Sequence, residues 1–167
     1  MFPRPPRIVP GPGQESVWDY PRPPAVQPTS RHVRVRFGDT IVAETSAALR
    51  VLETAGAPTW YLPREDVRTD LLHPSGGRGT VCEWKGSATY FDLVAGDRIS
   101  PRAAWTYDRP LPVYEALTGR IAFYAGRVDE VTVDGEAVRP QPGGFYGGWV
   151  TDDVVGPFKG EPGTEGW

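Results

Sequence analysis

The chain has 167 residues, enough for one domain with a hydrophobic core, and its 39% hydrophobic and 23% charged content is ordinary for a globular protein. A net charge of −3 argues against a general nucleic-acid-binding protein, which normally presents a basic face. No apolar run approaches the roughly 18 residues that a membrane span needs, so we expect neither nucleic acid nor a membrane as a partner.

Three features of the composition are informative: the high glycine and proline content, the single cysteine and the scarcity of lysine. Glycine and proline number 20 and 19, and this disfavours long helices because both residues disrupt helix interiors. One cysteine, Cys82, permits no internal disulfide, and the first residues lack a signal-peptide apolar stretch, so we expect a cytoplasmic protein. Only two of the 18 basic residues are lysines, Lys85 and Lys159, so each stands where arginine would be the usual choice.

The chain divides into a proline-rich N-terminal arm (1–29), a β domain (30–140) and a C-terminal arm (141–167) rich in glycine, proline and aromatics. The N-terminal arm holds nine prolines and is typical of an extended, polyproline-like segment. Trp18 and Tyr20 lie within it, and a free tail would gain nothing from two large aromatic rings. We therefore expect the arms to pack on the β domain, with a partner subunit as the alternative.

The first predicted hairpin spans residues 33–43, where apolar and polar residues alternate strictly and Gly38-Asp39 supplies the turn. The alternation places three side chains inward (Val33, Val35 and Phe37) and two outward (Arg34 and Arg36). A short helix of roughly ten residues is then predicted over 46–56, because Ser46 can cap it and Gly56 can end it. Its apolar stripe would be Ala48, Leu49, Leu52 and Ala55.

A short strand at Trp60–Leu62 runs into residues 63–67, which contain Arg64 and Asp66. Polar residues after a strand end are typical of a functional loop. Proline followed by acidic residues also fits the first turn of a helix. The sequence leaves the two interpretations open.

The stretch Thr80–Tyr90 contains Cys82, Trp84 and Lys85, and two β-branched or aromatic runs joined by Lys85-Gly86 predict a second hairpin. A two-residue turn there would pair Cys82 with Thr89 and Val81 with Tyr90. Cys82 and Trp84 would then share one face of the sheet.

Further strands are predicted in the second half of the chain, at 103–107, 120–124, 128–133 and 136–138, with a helical turn near 112–118. Trp105 and Tyr107 fall on one face of their strand. The glycine-rich segment Gly143–Gly148 lacks the Lys-Ser/Thr of a phosphate-binding loop. We interpret its glycines as positions where the backbone packs tightly against aromatic rings.

The sequence offers few candidate metal ligands or catalytic residues. One cysteine and two distant histidines (His32 and His73) do not provide the ligands of a tetrahedral zinc site, so we expect no metal and no cofactor. Cys82 is a candidate nucleophile if a base or cation lowers its pKa, and Lys85 is the other catalytic candidate. The ordinary alternative for Cys82 is a small buried hydrophobic residue.

The six tryptophans and seven tyrosines are a stronger indication of a functional site than the catalytic or metal-binding candidates. Rings spaced along strands are more often core residues than a binding site, yet amphipathic rings with a few polar groups also suit a ligand pocket. The candidate ligand-binding residues are Tyr61, Arg64, Asp66, Cys82, Trp84, Lys85, Tyr90, Trp105, Tyr107 and Tyr124.

Four segments resemble the domain-of-unknown-function 427 family: Tyr61–Val67, Thr80–Tyr90, Ala104–Tyr107 and Ala122–Tyr124 with Asp129. The resemblance covers about 33–133, and the outer arms are similar to those of a longer actinobacterial subgroup. It implies a small, mainly β, β-tent-like fold, and it marks Arg64, Asp66, Cys82, Lys85, Trp105, Tyr107 and Tyr124 as site positions.

The family is sometimes labelled a nucleotidyltransferase. That chemistry requires a Gly-Ser turn followed at a distance by paired acidic residues that hold Mg²⁺. Gly86-Ser87 is present, but Asp92 follows closely and has no acidic residue two positions on.

The sequence thus predicts a mainly β domain of two packed antiparallel sheets with one short helix. The function that we expect is binding of a small ligand in an aromatic pocket beside the Cys82–Lys85 hairpin. Two alternatives remain: an enzyme that uses Cys82 or Lys85, and an interaction or homodimerisation module without a pocket.

Overall fold

The computed structural model describes residues 6–77, 81, 82, 85–161, 163, 164 and 167, with the backbone alone at residues 81 and 82. Its strands are β1 (Glu15–Ser16), β2 (Ala25–Pro28), β3 (Val33–Phe37), β4 (Thr40–Thr45), β5 (Leu49–Leu52), β6 (Thr59–Tyr61), β7 (Leu72–Pro74), β8 (Val81–Cys82), β9 (Gly86–Ser87), β10 (Thr89–Ala95), β11 (Arg98–Thr106), β12 (Ile121–Phe123), β13 (Glu130–Val133), β14 (Glu136–Ala137), β15 (Arg139–Pro140), β16 (Trp149–Val150) and β17 (Val154–Val155). Short 3-10 helices occupy Val17–Asp19, Arg64–Asp66, Thr69–Leu71, Pro112–Leu117 and Ala125–Arg127.

The prediction of a mainly β fold with packed antiparallel sheets and a short helix is confirmed. The longest helical segment in the described part of the chain is Pro112–Leu117, where the sequence predicted a helical turn. No helix of the described residues is both long and apolar enough to cross a membrane.

Three sheets of three or four strands form the body of the domain. The central sheet has the order β12-β11-β10-β7, the second β14-β13-β3-β4 and the third β2-β5-β6. The predicted hairpin at 33–43 is the β3-β4 pair, and Val33, Val35 and Phe37 are buried as expected. Backbone bonds in both directions between Leu62 and Ile121, at 2.8 and 2.9 Å, join the third sheet to the central one.

The central sheet is covered on both faces. One face joins the second sheet in the main apolar core, which includes Leu93, Phe123 and Val131. The other face carries a second cluster that contains Tyr90 and Trp105 and packs against the third sheet. Side chains alternate along β10 and β11, so Phe91, Leu93 and Ala104 lie on the first face. Tyr90 and Trp105 lie on the second, here called the aromatic face. The aromatic face is the one that forms the cavity described below.

The predicted helix over residues 46–56 is wrong, because Leu49–Leu52 form β5, the middle strand of the third sheet. All four residues of β5 are buried, including Arg50, whose Nε donates to Gln27 at 2.9 Å and which pairs with Glu15 at 3.3 Å. A strand covered on both faces shows no polar alternation. Its apolar residues therefore matched a helical stripe.

The predicted pairing within Thr80–Tyr90 is also wrong in register. The backbone of Cys82 pairs with Gly86 and that of Val81 with Ser87, so the hairpin at Lys85 is short. Thr89 and Tyr90 instead begin β10, which pairs with β11 through a two-residue turn at Gly96-Asp97. The longer β10-β11 ladder buries Tyr90 opposite Trp105, and this burial favours the observed pairing.

Residues of the two predicted arms contact each other as well as the body. β1 pairs with β17 in parallel, and β2 extends the third sheet. Trp18 is buried, its indole N–H donates to the carbonyl of Pro157 at 2.8 Å, and its ring meets Trp167 edge-on at 5.0 Å. The division into arms and domain stays a prediction, but these contacts account for aromatic residues in proline-rich segments.

Candidate functional site

A cavity of about 220 Å³, here called the inner cavity, lies between the aromatic face of the central sheet and the third sheet. Its walls come from strands that are far apart in sequence. The lining residues are Val51, Glu53, Gly56, Ala57, Thr59, Tyr61, Lys85, Tyr90, Trp105, Tyr107, Tyr124, Gln141, Phe145, Tyr146, Gly147, Gly148 and Lys159.

Strand register builds the aromatic wall of the inner cavity. Tyr90 stands opposite Trp105 across the β10-β11 ladder, with ring centroids 6.5 Å apart. Tyr124 packs at 4.6 Å from Trp105, and Tyr61 of the third sheet meets the Trp105 indole edge-on at 6.3 Å. Edge-on and offset arrangements are those that aromatic rings prefer. Trp105 is therefore the centre of the wall.

Two hydrogen bonds fix the polar ends of these rings. The indole N–H of Trp105 donates to the hydroxyl of Tyr61 at 3.3 Å, and the hydroxyl of Tyr124 donates to the carbonyl of Phe145 at 3.0 Å. Burial, reinforced by the adjacent hydroxyl of Tyr90, raises the pKa of Tyr124 to about 12. Tyr124 is therefore a neutral hydrogen-bond donor at physiological pH.

Lys85 and Lys159, the two lysines of the chain, both line the inner cavity. The carbonyl of Lys85 accepts a bond from the N–H of Leu111 at 3.2 Å, and its Nζ lies 6.0 Å from the Tyr107 ring centroid. The Nζ of Lys159 lies 3.9 Å from Glu53, the carboxylate that lines this cavity, and 5.1 Å from the Tyr146 ring.

Residues 141–148 close the inner cavity as a flap. A Cβ atom at Gly147 would lie only 2.1 Å from Cη2 of Trp105, so glycine allows the flap backbone to rest on the indole. Buried Gln141 fixes the base of the flap, because its Oε1 accepts from the N–H of Ala57 at 3.1 Å and its Nε2 donates to the Lys159 carbonyl at 2.9 Å. The expected tight packing of this glycine-rich segment against an aromatic ring is confirmed at Gly147, whereas Cβ atoms at Gly143 and Gly148 would meet Gly160 and Ala57 instead.

Two further cavities of about 320 Å³ each adjoin the inner cavity and share Tyr124 with it. One of them, here called the arginine cavity, is lined in part by Arg102 and Arg127. Their guanidinium carbons lie 4.0 Å above the ring centroids of Tyr90 and Tyr124, respectively. Arg127 also donates to two backbone carbonyls, those of Arg102 at 2.8 Å and Gly144 at 2.9 Å. Two cationic residues thus lie beside flap residues 143–145.

The structure brings together six of the ten candidate ligand-binding residues, since Tyr61, Lys85, Tyr90, Trp105, Tyr107 and Tyr124 all line the inner cavity. Trp84 and the side chain of Cys82 lie outside the described residues, so both expectations for Cys82, nucleophile or buried hydrophobic residue, stay predictions.

Arg64 and Asp66 do not line the inner cavity. They lie on a single 3-10 turn, which is closer to the helix-start interpretation of residues 63–67 than to an open loop. Asp66 accepts from Thr45 at 2.7 Å, and Arg64 donates to the Gly119 carbonyl at 2.9 Å. These bonds give both side chains structural roles.

Sequence reasoning did not place three groups of cavity residues at the site: the flap, Lys159, and the residues of the third sheet and its connection, which are Val51, Glu53, Gly56, Ala57 and Thr59. Gly147 and Trp105 are 42 positions apart, and no local pattern indicates their contact. The scarcity of lysine was the one available signal, and it applied equally to Lys85 and Lys159.

Among the described residues, no three histidine, cysteine, aspartate or glutamate side chains are grouped so as to hold a metal ion. Asp92, the first acidic residue after Gly86-Ser87 in the sequence, accepts from Ser75 at 2.6 Å and from the N–H of Arg102 at 2.9 Å. Its carboxylate is used in the sheet and does not line the inner cavity.

Comparison with known families agrees with the motifs that line the cavity. A family model described as a domain of unknown function (DUF427) matches residues 25–134, which include the central sheet and Lys85. No curated protein matches the chain. Because the family model spans about two thirds of the sequence, the chain belongs to the domain-of-unknown-function 427 family.

Proposed function

We propose that this protein binds a small ligand in the inner cavity. The observation that carries the proposal is the convergence of six candidate residues from separate segments on one concave aromatic space of about 220 Å³. Ligand sites are concave, mostly apolar and lined by a few polar groups. Here the apolar walls come from Trp105 and the tyrosines, and the polar groups come from Lys85, Lys159 and Glu53.

The flap adds support to the proposal. Phe145 at its tip is 63% exposed, whereas Gln141 and Trp149 at its two ends are buried. A segment anchored at both ends with an exposed tip can open over a cavity without unfolding the sheets. The flap therefore gives a ligand a route to the aromatic wall.

The alternative of an interaction module without a pocket depends on apolar surface at the arms. Val17, Trp18 and Tyr20 are each at most 8% exposed, because they pack on residues of the same chain such as Leu52 and Val154. Burial within the chain leaves these side chains little area for a partner. This contact pattern favours the ligand-binding proposal.

A thermal-shift screen of metabolites and nucleotides tests the proposal. A ligand that binds only the folded state stabilises it, by about 2.7 kcal/mol at a concentration of 100 times Kd. Hits are then tested on Thr59→Phe, which places a ring in the inner cavity, and on Val113→Phe, whose position is 78% exposed and outside the cavity.

We expect Thr59→Phe to weaken each hit at least tenfold and Val113→Phe to leave the affinity unchanged. Both variants are first checked for a wild-type circular dichroism spectrum and a melting temperature within a few degrees of wild type. Hits that bind folded Thr59→Phe as tightly as wild type would place the ligand elsewhere and refute the proposal.

A further inference from the structure

The charged side chains around the inner cavity and the arginine cavity are mainly positive. Lys85 and Lys159 line the inner cavity, and Arg102 and Arg127 line the arginine cavity that shares Tyr90, Tyr124 and Phe145 with it. Glu53 is the one carboxylate among the lining residues of these two cavities. The chain as a whole carries a net charge of −3, so this cleft is positive on a negative protein. A cleft whose charges are mainly of one sign and whose walls are apolar concentrates ligands of the opposite sign.

Within the inner cavity, the two lysines differ in how their charge is balanced. Lys159 has Glu53 at 3.9 Å. Lys85 has no carboxylate within 4.0 Å among the described residues, and its Nζ faces the ring of Tyr107. Among the described lining residues, Lys85 is therefore the lysine without a paired carboxylate, and one negative charge on a ligand would neutralise it.

The aromatic rings and the volume of the inner cavity favour a small, flat ligand. Trp105, Tyr124 and Tyr90 offer ring faces and edges, which suit a flat π-system. A volume of about 220 Å³ lies below the roughly 300–1,000 Å³ of sites for drug-sized ligands, so a molecule of one or two rings fills it.

We propose that the ligand is a planar aromatic monocarboxylate of one or two rings, with its ring against Trp105 and its carboxylate at the ammonium of Lys85. The inference rests on the proposed function and specifies the ligand class for the same site. A single lysine matches a single carboxylate charge, whereas a phosphate ester carries up to two charges and is usually bound by several donors.

The test uses sets of probes that share a ring skeleton and differ only in charge. Benzoates, pyridine carboxylates and indole carboxylates are titrated calorimetrically at pH 7.5, each beside its carboxamide, its aminomethyl analogue and its phosphate ester. We expect the carboxylates to bind at least about tenfold more tightly than the matched carboxamides, as a charge-assisted hydrogen bond would provide.

Variants of Lys85 connect the preference to the proposed residue. Lys85→Gln should remove the carboxylate's advantage over the matched carboxamide, whereas Lys85→Arg should retain most of that advantage because the charge remains. Arg22→Gln, an exposed arginine outside the cavity, is the control and should change neither affinity.

The other outcomes distinguish failure of the ligand class from failure of the proposed function. Carboxamides or amines that bind as tightly as carboxylates would overturn the inference and leave the proposed function standing. Phosphate esters that bind more tightly than carboxylates would overturn the monocarboxylate assignment. If an advantage of the carboxylates survives in Lys85→Gln, the carboxylate does not meet Lys85. If no probe binds in any set while the metabolite screen gives hits at the inner cavity, the ligand class is wrong. If the screen also fails, the proposed function fails with it.

Discussion

Gly147→Ala is the most informative single substitution in this structure. The added Cβ atom would lie 2.1 Å from Cη2 of Trp105 and 2.9 Å from its Cζ3. The backbone at Gly147 is not in the left-handed region, so alanine adds a steric clash and no conformational strain. The substitution therefore isolates the contact between the flap and the aromatic wall.

The size of the effect follows from the geometry. To restore an ordinary contact of at least 3.4 Å from 2.1 Å, the flap or the indole must move by about 1.3 Å. The indole is restrained by its hydrogen bond to Tyr61, and the flap by the bond from Tyr124 to Phe145. Overpacking of this kind costs about 1–3 kcal/mol. For a chain of this length the loss corresponds to a decrease in melting temperature of roughly 2–12 °C.

Urea denaturation and calorimetry measure the loss, with Gly126→Ala as the matched control. A Cβ atom at Gly126 meets Pro140 at 3.6 Å, an ordinary contact, so that variant should stay close to wild type. The cost of Gly147→Ala should also decrease in a Trp105→Phe background, because the clashing atoms are then absent. A Gly147→Ala protein as stable as wild type, or an equal cost in both backgrounds, would refute the packing of the flap on Trp105.

Four further predictions concern the rest of the chain. EDTA should leave the melting temperature unchanged, and a loss of several degrees would show that a metal is needed. Hydrogen bonds from Arg98 and from the N–H of Gly38 lower the pKa of Asp129 from 3.8 to about 2. The stability that this carboxylate contributes is therefore present above pH 4 and lost as the pH falls toward 2, and the melting temperature of Asp129→Asn should depend less on pH in that window than that of wild type. Trp18→Ala should destabilise the fold by about 3–5 kcal/mol in urea titrations, because its ring is buried, and a near-neutral result would mean that the arm is a loose tail. Cys82 should react slowly with a thiol reagent at neutral pH, and rapid labelling would favour the nucleophile.

Local patterns predicted the elements whose two faces differ. The alternation over Val33–Phe37 identified β3 and its buried face, and the spacing of Trp105 and Tyr107 placed both in one cluster. Residues Leu49–Leu52 were misread because β5 is buried on both faces, including Arg50. The helix and the strand share the same apolar residues there, and only the tertiary context decides between them.

Long-range contacts determine the strand pairing and the cavity residues that local sequence patterns did not predict. Tyr90 pairs with Trp105 rather than with Val81 because the longer β10-β11 ladder buries more apolar surface, and this comparison requires both strands. The flap reaches Trp105 through Gly147, and Lys159 reaches the inner cavity from the far end of the chain. The resemblance to a family identified the aromatic wall, whereas the closing segment lies outside the matched residues 25–134.

The indole N–H signals of the tryptophans test the central claim most directly, because Trp105 lines the inner cavity whereas Trp18 is buried between the arms. In ¹H–¹⁵N spectra of the labelled protein, assigned by single Trp→Phe variants, each compound that stabilises the fold should shift the Trp105 signal in proportion to its occupancy. The Trp18 signal, whose N–H is bonded to Pro157, should stay in place. Stabilising compounds that shift Trp18 and leave Trp105 unchanged would contradict a ligand site at the inner cavity.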